Sequence, residues 1–512
     1  MAVILFAGAS CGPQRGPAEL DGASLARAYC SRCHAFPEPE LLSRHVWVNS
    51  VLPAMGAFMG MYTKTARYSL IEPLTAFGIN ADSVYPTRPQ ISKERWGAIV
   101  SYYEHAAPDS LVDPPRAVPV SVGLPYFKVD VPPGRFEPPY TTAVRIDAAH
   151  GRLFVGNYAT KNALVAFDPK LDPLHRYDLD GDPVAVRVVG DRVLVAVVGK
   201  GPEPTDASAG SLQVIEGPNG SPRRLISKLR RPVDFALGDL NSDGREDFVI
   251  CEYGNRTGFL SWYEGLEGGG YRRHVLSRQS GAVRLALHDF DRDGRTDVGV
   301  LMAQGDEGFD IYYNRGAGRF EQRRVLRFPP VYGSNDFDLA DFNGDGVTDI
   351  LYAAGDNADL STIPKPYHGV RIFLGDGEGG YSERYFFPLN GSTRVRAADF
   401  DGDGDLDISA AAYFPDYART PEESFVYLEN EGGFTFKPYT FEDSYRGRWM
   451  ALDVGDIDGD GDPDILLGSN IAMGPLGDKT GLYNRWRKDA PSFLVLENTT
   501  TATTPARQQP AL

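Results

Sequence analysis

One nine-residue pattern, D-x-[DN]-x-D-G-x-x-D, occurs five times between residues 239 and 464 of this 512-residue chain. It reads DLNSDGRED from Asp239, DFDRDGRTD from Asp289, DFNGDGVTD from Asp341, DFDGDGDLD from Asp399 and DIDGDGDPD from Asp456. The starts lie 50, 52, 58 and 57 residues apart. That period marks a supersecondary unit that must stack on copies of itself to bury its apolar surface. Short apolar runs bracket each pattern, VDFALG before and FVICEY after the first, so each loop closes a β-hairpin.

A third run follows every hairpin (LSWYE, FDIYYN, VRIFLG, SFVYLEN, SFLVLEN), and a fourth follows in most. Four strands per period describe a β-propeller blade. Two earlier units have the same frame without acidic loops: TTAVRID to LHRYDL, and PVAVRVV to PRRLISK. The chain therefore predicts an all-β, seven-bladed propeller over 126–498. Its last unit lacks a fourth strand, and YFKVDV at 126–131 is expected to supply it and close the ring.

The loop chemistry points to a hard cation. Oxygens at positions 1, 3, 5 and 9 converge, glycine at position 6 permits the sharp turn, and the position 7 carbonyl adds a ligand, a set suited to Ca²⁺. The candidate ligands are Asp239, Asn241, Asp243 and Asp247; Asp289, Asp291, Asp293 and Asp297; Asp341, Asn343, Asp345 and Asp349; Asp399, Asp401, Asp403 and Asp407; and Asp456, Asp458, Asp460 and Asp464. About five structural Ca²⁺ ions are expected. An EF-hand would need a glutamate at position 12 and flanking helices. The eighteen aspartates of this set explain much of the net charge of −17, which argues against nucleic acid as a partner.

The first hundred residues are different. From Asp21 the pattern turns helical, with Leu25, Ala28 and Tyr29 on one face, and YCSRCHAFP follows. A second helix, ISKERWGAIVSYYEHAA, has Ser92 as N-cap and Trp96, Ile99, Val100 and Tyr103 as its apolar stripe, and ends before Pro108. The run 109–125 is Pro-rich and aperiodic, and reads as a linker. Residues 20–108 are thus a small all-α domain.

Cys30-Ser-Arg-Cys33-His34 is the spacing of covalent c-type haem attachment. Two thiols in one turn can add to two vinyl groups of one porphyrin, and the next imidazole can reach its iron. A redox dithiol would need a βαβ setting. A zinc site would need two more close ligands, and a disulfide at this spacing is strained. The second axial ligand is expected in VLPAMGAFMGMYT: Met55, with Met59 and Met61 as alternatives and His45 as a further one. Cys251, in FVICEY, reads as a small buried apolar residue.

The chain opens MAVILFAGASCGPQRG, apolar and then abruptly polar, which suggests that 1–19 is an export signal. Cys11 follows small residues, as at a bacterial lipoprotein cleavage site, and is the lipidation candidate. Residues 499–512 are expected to be a flexible tail.

Residues 20–108 resemble a small class I-like cytochrome c domain, on Cys30, Cys33, His34, VLPAM and the closing helix with Trp96 and Tyr102-Tyr103; the three clustered methionines depart from that pattern. Residues 126–498 resemble the FG-GAP or VCBS class, whose integrin relatives form seven-bladed calcium-binding propellers. Together the resemblances imply an exported single-haem electron carrier, in the periplasm or at the cell surface, with a propeller that docks it. A redox protein, membrane-associated or periplasmic, is the implied partner, with a protein or glycan on the propeller face. The alternatives are a propeller oxidoreductase that passes electrons to its own haem, and an adhesion or scaffold protein.

Overall fold

The structure is a computed structural model that describes residues 21–62, 66–116, 118–158, 163–199, 201, 205–357, 363–474 and 479–500. Cys11, the rest of segment 1–19, and 501–512 lie outside the described residues.

Residues 127–498 form seven four-stranded antiparallel sheets arranged as the blades of a propeller. The first strands of neighbouring blades touch one another in a closed cycle, so they line a central channel. Seven apolar clusters fill the seven gaps between blades. Ile146, Leu153 and Val155 of blade 1, for example, pack on Ile457, Leu466 and Phe493 of blade 7. Burial on both faces explains why the second and third strands of each unit read as continuous apolar runs and not as alternating ones.

Strand β2 (Phe127–Asp130) pairs antiparallel with Phe493–Asn498, and Phe127 stands opposite Asn498. It is the fourth strand of blade 7, so the ring is closed by a segment that precedes blade 1. The run before it is not a free linker. Strand β1 (Ser121–Val122) adds a fifth, parallel strand to blade 6, and Arg116 forks onto Glu423 at 2.5 and 3.0 Å. Asp113 pairs with Arg419 at 2.8 Å. Side chains that sequence periodicity does not register pin this segment.

Residues 21–107 form a helical unit. Helix α1 (Gly22–Cys30) is capped by the Asp21 carboxylate, which accepts from Ala23 N at 3.1 Å. It buries Ala26 and leaves Ala28 exposed, against the sequence expectation. The reason lies in its partner, helix α5, which runs Lys93–Ala106. A Cβ at Gly22 would lie 2.3 Å from Ala98 O, so the two backbones cross closely there and the contact face becomes Gly22, Ala26 and Tyr29. On α5, Ser92 Oγ accepts from Arg95 N at 3.3 Å, and Trp96, Ile99 and Tyr103 are buried as the stripe predicts. Between them, α2 (Arg44–Val46) passes through a π-turn at Trp47–Val51 into α3 (Leu52–Phe58), and α4 (Arg67–Ala76) follows.

The helical unit rests on the propeller. Val331 and Ile363 pack against its core, and Tyr367 Oη donates to Leu41 O at 3.1 Å. The Arg256 guanidinium lies 5.9 Å from the Phe58 ring.

Candidate functional site

The end of α1 delivers the first candidate site. Cys30 is its last residue and is half-buried; Cys33 is exposed in the turn that follows. Both are free thiols, and burial pushes the Cys30 thiol up to about 11, so it stays protonated at neutral pH. His34 Nδ1 lies 2.8 Å from Ala35 O. A carbonyl oxygen only accepts, so Nδ1 carries the proton and Nε2 keeps its lone pair. Burial lowers the His34 pKa, which keeps the ring neutral. An imidazole whose Nδ1 is held by a backbone carbonyl and whose Nε2 is left to ligate is the usual arrangement at metal centres.

Met61 is buried in the same apolar cluster as Trp47, Trp96 and Tyr103, and Cys30, Met55 and Met59 pack against that cluster. All three thioethers therefore lie in or against the apolar cluster that Cys30 also touches. His45 is exposed, with Nδ1 3.1 Å from Asn49 Nδ2. The donor set of two thiols, one neutral imidazole and a thioether fits a covalently held haem. Asp306 and Arg327 of blade 4 lie within electrostatic reach of His34, so this side of the helical unit faces the propeller.

The second candidate site is the set of acidic loops. In each, glycine at position 6 has φ between +78° and +100°, a conformation that residues with a Cβ rarely adopt (Gly244, Gly294, Gly346, Gly404, Gly461). Its N–H donates to the position 1 carboxylate, for example Gly294 to Asp289 Oδ2 at 2.8 Å. The turn gathers carboxylates. Oxygens of Asp289, Asp291 and Asp297 lie within 4.8 Å of one another, as do those of Asp399, Asp401 and Asp403, and of Asp456, Asp458 and Asp460. In blades 3 and 5 the position 3 residue is an amide, and Asn241 and Asn343 donate to Asp243 and Asp345 at 2.8 and 2.9 Å.

The position 9 aspartates have a role the pattern alone does not disclose. Asp247, Asp297, Asp349, Asp407 and Asp464 are all buried, and each accepts two backbone N–H groups. One comes from position 2 of its own loop and the other from the end of the third strand. For Asp297 these are Phe290 N at 2.9 Å and Asn314 N at 2.7 Å. For Asp464 they are Ile457 N at 2.7 Å and Asn498 N at 2.8 Å. Asp407 also accepts from Tyr427 Oη at 2.8 Å. Each one staples its loop to its blade.

Two further groups escaped the sequence reading. Asn314 Nδ2 donates to Leu240 O in blade 3 at 2.8 Å, and Asn498 Nδ2 donates to Phe400 O in blade 6 at 2.7 Å. An asparagine at the end of the third strand thus clamps the preceding blade's loop. The N that ends FDIYYN and SFLVLEN was the signal; Asn430, which ends SFVYLEN, donates instead to Leu406 O of its own blade at 3.1 Å. Position 7 also differs between blades. Arg245 and Arg295 turn their guanidinium groups onto Asp243 and Asp293, whereas blades 6 and 7 carry Asp405 and Asp462 there. Asp462 is buried beside Asp460, and burial together with that carboxylate pushes its pKa up to about 7.

The FG-GAP-like repeat family matches residues 239–300, 289–352 and 415–467. The chain carries FG-GAP-like repeats. Those three spans take in the acidic loops of blades 3, 4, 5 and 7. No curated protein matches this sequence. Among solved structures, the N-terminal domain of Nup159 is 12% identical, with 74% of this chain and 97% of that one covered and a TM-score of 0.42. A putative 6-phosphogluconolactonase from Bacteroides fragilis NCTC 9343 is 14% identical, with 62% and 87% covered and a TM-score of 0.42. An S. cerevisiae complex of Dbp5 bound to Nup159, Gle1, IP6 and ADP is 13% identical, with 74% and 96% covered and a TM-score of 0.43. At these scores the likeness carries no functional argument. Among the described residues, no helix is long and apolar enough to cross a membrane.

Proposed function

We propose that this protein is an exported single-haem c-type cytochrome that transfers electrons, with its FG-GAP propeller as a calcium-stabilised docking module. The observation that carries the reading is the neutral His34, held at Nδ1 by Ala35 O, one residue after the Cys30/Cys33 pair. Cys30 and Cys33 would hold a porphyrin covalently through their sulfurs, and His34 would ligate its iron. Met55 would be the second protein ligand, with Met59 and Met61 as the alternatives. The haem supplies one-electron chemistry. With both ligands supplied by the chain, the apolar cluster of Trp47, Trp96 and Tyr103 would help to exclude water, which would favour outer-sphere transfer to a redox partner protein.

Calcium in the acidic loops is structural on this reading. Its charge offsets the repulsion among carboxylates gathered within 4.8 Å. Segment 1–19 directs export to the periplasm or cell surface, where Cys11 carries a lipid anchor. The propeller face, broad and rigid, receives a protein or a glycan.

The test is expression in a host competent for haem attachment. The protein should carry one haem that survives denaturation, and reduce and reoxidise by one electron. A colourless product, or haem that extracts freely, overturns the reading. A second reading, substrate oxidation on the propeller with electrons leaving through the haem, is favoured by Asp306 and Arg327 facing His34. Haem reduction by a substrate with no second protein present would select it.

A further inference from the structure

The channel carries a belt of buried charge that neither the haem nor the acidic loops involve. Each first strand contributes to it: Arg145 in blade 1, Arg187 in blade 2, Asp234 in blade 3, Arg284 in blade 4, Asp336 and Asp338 in blade 5, Arg394 and Arg396 in blade 6, and Asp453 in blade 7. From blade 2 onward the sign alternates, and neighbours pair. Arg187 lies 2.7 Å from Asp234, Arg284 lies 3.7 Å from Asp234 and 3.2 Å from Asp336, and Arg396 lies 2.9 Å from Asp336. Asp453 closes onto Arg145 at 3.5 Å.

The carboxylates do a second job. Asp234 accepts from Leu285 N at 3.1 Å, Asp336 from Val395 N at 3.4 Å, and Asp453 from Ile146 N at 2.7 Å. Each reaches across a gap to the exposed inner edge of the next blade.

Seven is odd, so a ring of alternating signs must place two like charges side by side once. That junction lies between blades 1 and 2, where Arg145 follows Asp453 and precedes Arg187. Here an arginine stands where the gaps after blades 3, 5 and 7 have a carboxylate. Among the described residues Arg145 Nε has no hydrogen-bond partner, although its side chain is 34% exposed and another of its nitrogens pairs with Asp453. Burial pushes the Arg187 guanidinium down to about 10, with Arg284 and Arg145 adding to the effect of enclosure.

We propose that the channel binds a small oxyanion, a carboxylate or a tetrahedral oxyanion, between Arg145 and Arg187, where it supplies the negative charge that an odd ring cannot. Guanidinium forks suit such groups because two N–H bonds can be made in parallel to two oxygens. A free carboxylic acid and an inorganic oxyanion share this chemistry, and the test separates them.

The experiment is calorimetric titration of the full-length, calcium-loaded protein with sulfate and with succinate, at ionic strength matched by chloride. One anion should bind per chain, and Arg145→Gln should weaken binding by about tenfold or more, as expected when a charge-assisted bond is lost. Arg394→Gln, across the ring, should leave it unchanged. Sulfate alone binding assigns a tetrahedral oxyanion, and succinate alone assigns a carboxylate. No heat from either anion at millimolar concentration overturns the proposal, as does equal loss in both variants, which would mark a diffuse field. Should Arg145→Gln fail to fold, Arg145→Lys keeps the charge and removes the fork. Binding must weaken in it too, and unchanged affinity overturns the site.

Discussion

Replacing Glu307 with glutamine tests the electrostatics of the surface on which the helical unit rests. Glu307 is 2% exposed and accepts from Ser334 N at 2.8 Å and from Gly333 N at 3.3 Å. Burial pushes its pKa from 4.5 up to about 7, against the lowering effect of those hydrogen bonds. The folded state therefore holds this proton more tightly than the unfolded chain. Between pH 4.5 and 7 folding takes up a proton, so stability falls as pH rises through that window. A shift of this size corresponds to about 3 kcal/mol lost by pH 8. Glutamine stays neutral throughout. Its one carbonyl oxygen can keep the Ser334 bond, but its amide then faces Gly333 N–H, at a cost of about 1 kcal/mol. The variant should be about 2 kcal/mol more stable than the parent at pH 8 and about 1 kcal/mol less stable below pH 4.5, with the curves crossing between. Urea unfolding across pH 4 to 8 measures this, and hydrogen exchange at 303–307 and 331–334 localises it. Parallel curves, or a parent that gains on the variant as pH rises, would refute the argument. The loop matters because the neighbouring residue is Asp306, which faces His34.

Four further outcomes follow. Met55→Ala should abolish the spectroscopic Met–iron signature of the purified protein while leaving the haem attached; an unchanged spectrum moves the ligand to Met59 or Met61. Chelation should lower the melting temperature and increase hydrogen exchange most in the blade 6 and 7 loops, where Asp405 and Asp462 stand, and least in blades 3 and 4, where Arg245 and Arg295 already neutralise a carboxylate. Equal exchange in all five loops would remove that ranking. Asp297→Ala strands the N–H groups of Phe290 and Asn314 and should destabilise by about 3–5 kcal/mol, measured by urea unfolding, in calcium and in chelator alike. A loss that vanishes in chelator would show that Asp297 acts only as a metal ligand. Arg116→Ala should loosen the segment that leads into β1, seen as faster exchange at 113–122, since it removes the fork onto Glu423.

The repeating loops, the strands around them and the seven-bladed count were legible because each depends on local chemistry repeated in register. An aspartate at position 1, a glycine at position 6 and two apolar runs state a hairpin wherever they occur. The helix stripe of Trp96, Ile99 and Tyr103 was legible for the same reason. The chain by itself also determined the spacing of Cys30, Cys33 and His34, which no folding event can alter. Tertiary structure decided the rest. Ala26 replaced Ala28 in the core because the close crossing at Gly22 rotated α1. The position 9 aspartates became staples because their acceptor oxygens meet N–H groups from a strand end 17 to 34 residues away. Arg145 and Arg187 lie 42 positions apart and look unremarkable in sequence. They come onto neighbouring inner strands only because seven blades close into a ring, and a closed odd ring cannot alternate its charges.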